Sequence, residues 1–326
     1  MRYKTIPKTD LRASHICMGG GAIGISLDER ESFRMLDTFV DLGGNFIDTA
    51  NIYGKWLPHG RNSSEEMIGK WLKKRNNRDR IILATKGAHP NLNTMDIPRL
   101  GRREIREDLE ESLDTLQTDT IDMYWLHRDD ENRPVGDILE TMNELVSEGK
   151  IRYFGCSNWK PNRIAEALNY AEQNGMKSFV ANQVMWSLAE PDMMAVADKT
   201  LVAMDKEGLD FHKKTNMAAV PYSSQANGYF TKLAKGGPAL LDDRVKRIYH
   251  HKSNIQRMER ILKLAREMSC TVTEIALAYL ISHDFPTFPI VGCRSVDQLM
   301  ESMKAGDLVL DAERMDYLNS GTGGEG

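Results

Sequence analysis

The sequence predicts a (β/α)8, or TIM, barrel: a single domain over residues 1–326, with a long loop after strand 7 and extra C-terminal helices. Three observations carry this expectation. Short apolar runs alternate with stretches of helical periodicity along nearly the whole chain. The apolar runs are continuous rather than alternating with polar residues, which is how parallel strands covered by helices read. Eight such units also fit 326 residues, since a barrel of this kind needs about 250 residues before insertions.

The elements follow in order. The first strand falls near 16–20, before helical periodicity over 30–42 (RESFRMLDTFVDL). The second strand, 45–48 (NFID), precedes a helix over 64–74 that Ser63 or Ser64 caps. The third, 81–85 (IILAT), precedes 102–116, where Ile105, Leu109, Leu113 and Leu116 recur at steps of three and four. Strands at 121–126 (IDMYWL) and 151–156 (IRYFGC) are followed by helices over 135–148 and 160–173. Strands six to eight lie at 179–183 (FVANQ), 218–222 (AAVPY) and 287–291 (TFPIV). Helices over 254–268 and 273–283 come before the last strand and 298–304 after it. Residues 223–253 form the longest irregular connection, and a loop of that length in a compact domain is usually functional. The tail 320–326 (SGTGGEG) is expected to fray. A doubly wound open sheet is the rival architecture. Its phosphate-binding glycine motif has one candidate here, GGGAIG at 19–24, which lacks the strand–helix context and the acid about 20 residues on.

Composition narrows the function. Net charge is −4, which gives no electrostatic footprint for nucleic acid or an anionic membrane. No apolar run is long enough to span a bilayer, and the start of the chain, MRYKTIPKTDL, lacks the apolar core of a signal peptide. The four cysteines, Cys17, Cys156, Cys270 and Cys293, are scattered and form no CxxC pair, so the expected compartment is a reducing cytoplasm. The eight histidines show neither HxxxH nor HExxH spacing, and no metal site is expected.

In such a barrel, chemistry sits where strands end and loops begin. Strand two ends in Asp48 with Tyr53 in its loop, strand three in Lys86, and strand four in His127. Strand five ends in Ser157 and Asn158, strand six in Gln183, and strand seven in Tyr222 and Ser223. No carboxylate pair suggests glycoside hydrolysis, and no Ser–His–acid set appears. A free phenol has a pKa of about 10, but a lysine ammonium about 4 Å away stabilises a phenolate by up to ~4 kcal/mol at an effective dielectric of about 20. With Asp48 keeping Lys86 charged and His127 orienting a carbonyl oxygen, Tyr53 reads as a general acid poised to protonate an oxyanion. Something must then attack the carbon, and hydride from a bound nicotinamide fits. Asn158 and Gln183 suit its carboxamide, and Tyr222 suits stacking on its flat ring.

The stretches GGNFIDTANIYG, SSEEMIGKWL, LATKG, DLEESLDTLQTDTIDMYWLHRDD, EGKIRYFGCSNW and PIVGCRSVDQLMES, in this order, resemble the aldo-keto reductase superfamily over nearly the entire chain. The resemblance implies a barrel that binds NAD(P)H, with Tyr53 as general acid and Asp48, Lys86 and His127 as its partners. It implies that Ser157, Asn158 and Gln183 bind the nicotinamide amide and that Tyr222 stacks on the ring. Ser223, Gln225 and Gly228 would line the pyrophosphate path, with Arg294, Gln298, Glu301 and Ser302 at the adenosine end. Many NADPH-dependent members have Lys where this chain has Gly292, and Arg where it has Gln298. Arg294 is then the substitute anchor for a 2′-phosphate. NADP(H) is the favoured cofactor, with NAD(H) as the second option.

Trp56, Trp125 and Arg128 are candidate walls of the substrate pocket. The polar loop 55–62 (KWLPHGRN), with Arg128, Asp129 and Asp130, suggests a sugar or sugar derivative as the carbonyl or polyol substrate. Two rival functions remain open. One is a non-catalytic NAD(P)H-binding sensor or accessory subunit. The other is a Schiff-base aldolase built on Lys86, which the neighbouring Asp48 counts against.

Overall fold

The chain enters through an antiparallel hairpin, β1 (Tyr3–Thr5) and β2 (Arg12–Ser14), with Lys4 opposite Ala13. It then winds into eight parallel strands: β3 (Cys17–Gly19), β4 (Phe46–Asp48), β5 (Ile82–Gly87), β6 (Ile121–Leu126), β7 (Ile151–Ser157), β8 (Ala181–Gln183), β9 (Ala218–Ala219) and β10 (Ile290–Val291). The computed structural model describes residues 1–321. The sheet runs in chain order from β3 to β9, and β10 returns beside β3 with Ile290 opposite Cys17. Ala219 N–H donates to Pro286 O and Phe288 N–H to Ala219 O, both at 2.9 Å, so the segment before β10 joins β9 and the barrel closes.

Among the described residues, twelve α-helices accompany the strands: α1 (Glu29–Asp41), α2 (Ser63–Arg75), α3 (Arg102–Leu116), α4 (Val135–Ser147), α5 (Pro161–Gln173), α6 (Lys206–Thr215), α7 (Tyr229–Gly236), α8 (Asp243–Tyr249), α9 (Lys252–Glu267), α10 (Val272–Ile281), α11 (Val296–Lys304) and α12 (Ala312–Ser320). Local chemistry sets several of their starts. Asp28 and Glu31 form a reciprocal capping box on α1, and Thr271 and Glu274 do the same on α10. Asp205, Asp242, Ser295 and Asp311 cap α6, α8, α11 and α12 through side-chain oxygens.

Alternation along the strands divides the core in two. Cys17, Phe46, Ala84, Met123, Trp125, Ala181 and Phe288 fill the barrel interior, together with Ile6, Leu11 and Ala13 from the hairpin. The hairpin therefore plugs the end where strands begin, and leaves the end where they finish for chemistry. Outward residues such as Ile47, Leu83, Tyr124 and Phe154 pack under the helices.

Four expectations change. Residues 223–253 are not an irregular connection, because α7, α8 and two 3₁₀ turns occupy most of them. The hairpin and α6 are additions to the expected pattern. Strand β5 continues to Gly87, so Lys86 lies inside it rather than after it. In the tail, Ser320 ends α12 and Gly321 caps it at φ 78°, while 322–326 lie outside the described residues.

Candidate active site

Asp48 ends β4, Lys86 lies one residue from the end of β5, and Gln183 ends β8. All three are buried at the finishing end of the barrel. Lys86 Nζ donates to Asp48 Oδ2 at 2.5 Å and to Thr49 O at 2.6 Å. It also lies 3.4 Å from the Tyr53 hydroxyl. Gln183 Nε2 donates to the other Asp48 oxygen, Oδ1, at 3.0 Å.

The loop after β4 returns Tyr53 to this cluster through backbone bonds. Asn51 N–H donates to Lys86 O at 2.9 Å, Tyr53 N–H to Ala50 O at 2.9 Å, and Ser64 N–H to Tyr53 O at 3.3 Å. Gly54 makes the tight return feasible. Its φ is 103°, and a Cβ there would stand 2.7 Å from Ser63 N. Tyr53 is half-buried, with its ring edge-to-face against Trp56 at 6.2 Å and against His127 at 6.3 Å.

Burial presses Asp48 and Lys86 towards their neutral forms. For Lys86 the Asp48 carboxylate and the Tyr53 oxygen outweigh burial, and its pKa is raised above the usual lysine range. Burial pushes the Asp48 carboxyl up, against the ammonium and the Gln183 amide that hold it ionised. The 2.5 Å contact and the second donor on Oδ1 make this an ion pair. An amine held as ammonium is a poor nucleophile, which weighs against Schiff-base chemistry. His127 is driven well below the ordinary histidine range, first by burial and then by the nearby positive charge of Arg128 and Lys86. Its imidazole is neutral at physiological pH, and its Nδ1 has no protein partner.

Residues expected at the cofactor lie along β7 to β10. Asn158 has a left-handed backbone (φ 62°), and its Oδ1 accepts from the Tyr222 hydroxyl at 2.6 Å and Val202 N–H at 3.1 Å. Its Nδ2 donates to His127 O at 3.3 Å and Ser157 Oγ at 3.1 Å. Asn158 is therefore fully engaged, and its amide fixes the Tyr222 ring. Ser157 retains its own hydroxyl proton, and Gln183 retains its Oε1 acceptor. Ser223 (φ 52°) and Gly228 (φ 76°) both turn the chain left-handed ahead of α7. Gln225 Nε2 donates to Ser302 Oγ at 2.9 Å, which joins the two expected groups. Arg294 is exposed just before α11, and its N–H donates to Gln298 Oε1 at 2.8 Å. Its guanidinium has no ion pair among the described residues, Gly292 faces open space, and Glu301 follows in α11.

A sequence profile of the aldo/keto reductase family matches residues 15–321. The chain belongs to the aldo/keto reductase family. It is similar to the uncharacterized oxidoreductase YrpG of Bacillus subtilis (strain 168), at 32% identity over 100% of this chain and 98% of the relative. An aryl-alcohol dehydrogenase (NADP(+)) of Phanerodontia chrysosporium is 28% identical, over 96% of this chain and 83% of its own. Among solved structures, the thermostable aldo-keto reductase Tm1743 superposes with a TM-score of 0.71 at 25% identity, covering 98% of this chain and 99% of that one. The chain is thus an aldo/keto reductase enzyme with the (β/α)8 fold of that family.

Within this aldo/keto reductase the three expected pocket walls separate. Trp56 is 50% exposed and lies edge-to-face beside Tyr53. Trp125 is wholly buried in the barrel interior and serves as core. Arg128 is also buried, and its guanidinium is taken by Thr200 at 2.7 Å, Asp198 at 3.0 Å and His127 O at 2.8 Å. Asp129 is held by Arg163 at 3.1 Å. Arg128 and Asp129, two of the charged residues behind the expectation of a sugar substrate, are therefore paired inside the protein, while most of the loop 55–62 is exposed. His89 was missed by reasoning from strand ends. It packs edge-to-face on His127 at 4.6 Å, and the available signal was its place in the same loop, three residues after Lys86. Among the described residues, no group of three or more His, Cys, Asp or Glu could hold a metal, and no helix is long and apolar enough to cross a membrane.

Proposed function

We propose that this aldo/keto reductase reduces an aldehyde or ketone with a nicotinamide cofactor, NADP(H) in preference to NAD(H), and that Tyr53 is its general acid. The observation that carries the reading is the Lys86 ammonium, fixed on Asp48 at 2.5 Å and reaching the Tyr53 hydroxyl at 3.4 Å. The cofactor, when bound, supplies hydride to the carbonyl carbon. The remaining work belongs to the chain. As the carbonyl oxygen gains electron density, the Tyr53 O–H bond breaks and its proton completes the alcohol. The phenolate left behind faces the Lys86 charge, which the buried Asp48 holds in place. His127, neutral and buried, orients the oxygen by donating a hydrogen bond rather than a charge.

The residues present fit a nicotinamide. Ser157 offers a hydroxyl donor and Gln183 an acceptor, which suits a carboxamide, while Asn158 holds Tyr222 so that its ring can stack. The free guanidinium of Arg294 suits a phosphate at the adenosine end, and this favours NADPH. The NADP(+) named for the Phanerodontia relative points the same way.

For the substrate, exposed Trp56 beside Tyr53 offers a flat face on which an aromatic carbonyl compound can pack. Named relatives include an aryl-alcohol dehydrogenase. The decisive experiment is Tyr53→Phe with nicotinamide absorbance as the readout. Turnover should fall by roughly 10²–10⁴-fold, with NADPH affinity unchanged. Near-normal turnover in this variant would end the mechanism.

A further inference from the structure

The loop leaving β5 is fixed more firmly than a mere connection requires. Ala88 takes a left-handed φ of 59°, and its N–H donates to Asp108 Oδ2 at 2.7 Å. Arg99 grips Asp108 at 3.0 and 2.8 Å and donates to His89 O at 2.9 Å. Such bidentate pairs carry geometric precision as well as energy. They fix the backbone at Ala88 and His89, and the His89 ring lies edge-to-face on His127 with centroids 4.6 Å apart.

The tautomer of His89 follows from its neighbour. Its Nδ1 lies 2.6 Å from Pro90 O. A carbonyl oxygen can only accept, so Nδ1 carries the proton. Burial and the Arg128 charge lower the His89 pKa and keep the ring neutral. Nε2 is then a lone-pair acceptor. Nothing among the described residues donates to it, and it is not sealed in the core. His89 also lines a cavity of about 270 Å³ together with Lys86, Asn51, Lys55, Asp108 and Glu111.

His127 is the residue that would orient the substrate oxygen, and His89 touches it. A group on the atom next to the carbonyl would therefore come to His89. We propose that His89 is a specificity-determining residue, whose Nε2 accepts a hydrogen bond from a hydroxyl on the substrate close to the reacting carbonyl. The enzyme would thus select hydroxy-aldehydes or hydroxy-ketones over carbonyl compounds without that hydroxyl. The inference rests on the reading of Tyr53 and His127 as a carbonyl-reducing site.

The test compares kcat/KM with NADPH on two matched pairs, 2-hydroxybenzaldehyde against benzaldehyde and glycolaldehyde against acetaldehyde. The aromatic and aliphatic pairs distinguish the two scaffolds that can carry the hydroxyl. Wild type should prefer the hydroxylated member of at least one pair by roughly tenfold, the scale of one net hydrogen bond. His89→Phe, which keeps a flat ring but has no acceptor, should erase the preference while leaving the plain aldehyde nearly unchanged. His89→Gln, which restores an acceptor, should recover part of it. Equal rates on both members in wild type overturn the inference, as does a His89→Phe variant that slows both members alike. Should His89→Phe fail to fold, His89→Leu, which also lacks an acceptor, takes its place: a lost preference with near-normal benzaldehyde turnover supports the role, and a retained preference removes it. Wild type that turns over benzaldehyde without preference rejects only the role of His89. Wild type that binds NADPH yet reduces none of the four rejects the reductase reading itself.

Discussion

At the scale of single residues, the site depends on charge placed where water does not reach. Asp48 and Lys86 are both essentially buried, and each is tolerable only because the other is there. Removing one partner of such a pair strands the other, which costs about 3–5 kcal/mol, far above the ~1 kcal/mol of a surface pair. Asp48→Asn keeps the shape and the Gln183 contact but leaves the ammonium unbalanced. It should lower the unfolding free energy in urea by about 3–5 kcal/mol and reduce kcat by at least about 10²-fold, on the scale of general acid catalysis. A variant with wild-type stability would show that Asp48 is not the counter-ion. The types and order of this quartet were legible, because Asp48, Lys86 and His127 close apolar runs and Tyr53 follows one. The bonding of Asn158 was not legible. Its partners Tyr222 and Val202 lie 64 and 44 residues away, and only folding brings them together. Arg128 misled for the same reason, since Asp198 is 70 residues distant.

At the scale of elements, α2 ties the mouth of the barrel together. Ser64 Oγ donates to Gly20 O at 2.8 Å, just past β3, and meets Thr49 Oγ1 at 2.8 Å, just past β4. Glu65 accepts from Thr85 at 2.5 Å, one residue before Lys86. The helix can sit this close because Gly69 faces α3 without a side chain. A Cβ there would stand 2.6 Å from Thr115 O and 2.8 Å from the Leu116 backbone. Gly69→Ala thus sets two effects against each other. Helix propensity gains about 1 kcal/mol, whereas overpacking against rigid backbone costs about 1–3 kcal/mol. Backbone cannot swing aside, so the net should be a loss, read as a lower urea midpoint together with slower turnover. A higher midpoint would show that α3 yields. The long helices α1 to α5 and the buried strands were legible because their apolar periodicity is strong. The additions were not. In α6 only Gly208 and His212 are buried, so no apolar stripe marks it. The three-residue strands of the hairpin are too short to show a period. Helices α7 and α8 are cut apart by Gly236, Gly237 and Pro238, which read as loop.

At the scale of the whole molecule, buried histidines should set the acid limit of stability. His15 and His283 are both lowered to about 4, chiefly by burial. Between that value and an unfolded pKa of about 6.5, the unfolded chain binds a proton that the folded chain refuses. Stability therefore falls as pH drops through this window and levels off below it, by up to about 1.4 kcal/mol per pH unit for each such group. Glu65 works in the opposite sense. Burial raises its carboxyl to about 7, so its folded form keeps a proton that the unfolded chain releases above about 4.5, and its share of stability is lost as pH rises to about 7. The two effects overlap, so a wild-type profile alone cannot separate them, and a difference between variants can. His283 packs against Trp186, Tyr279 and Phe285, with centroids at 4.7, 5.0 and 5.5 Å, and its buried Nε2 has no protein partner. Lys213 nearby disfavours its charge and Asp284 favours it. His283→Phe suits this aromatic nest and removes the titration without touching Glu65 or His15. The variant should match wild type near pH 8 and exceed it increasingly from pH 6.5 down to 4, with thermal or urea unfolding as the readout. Parallel profiles at all pH values would mean that His283 is charged in the folded protein and that water reaches this corner of the fold.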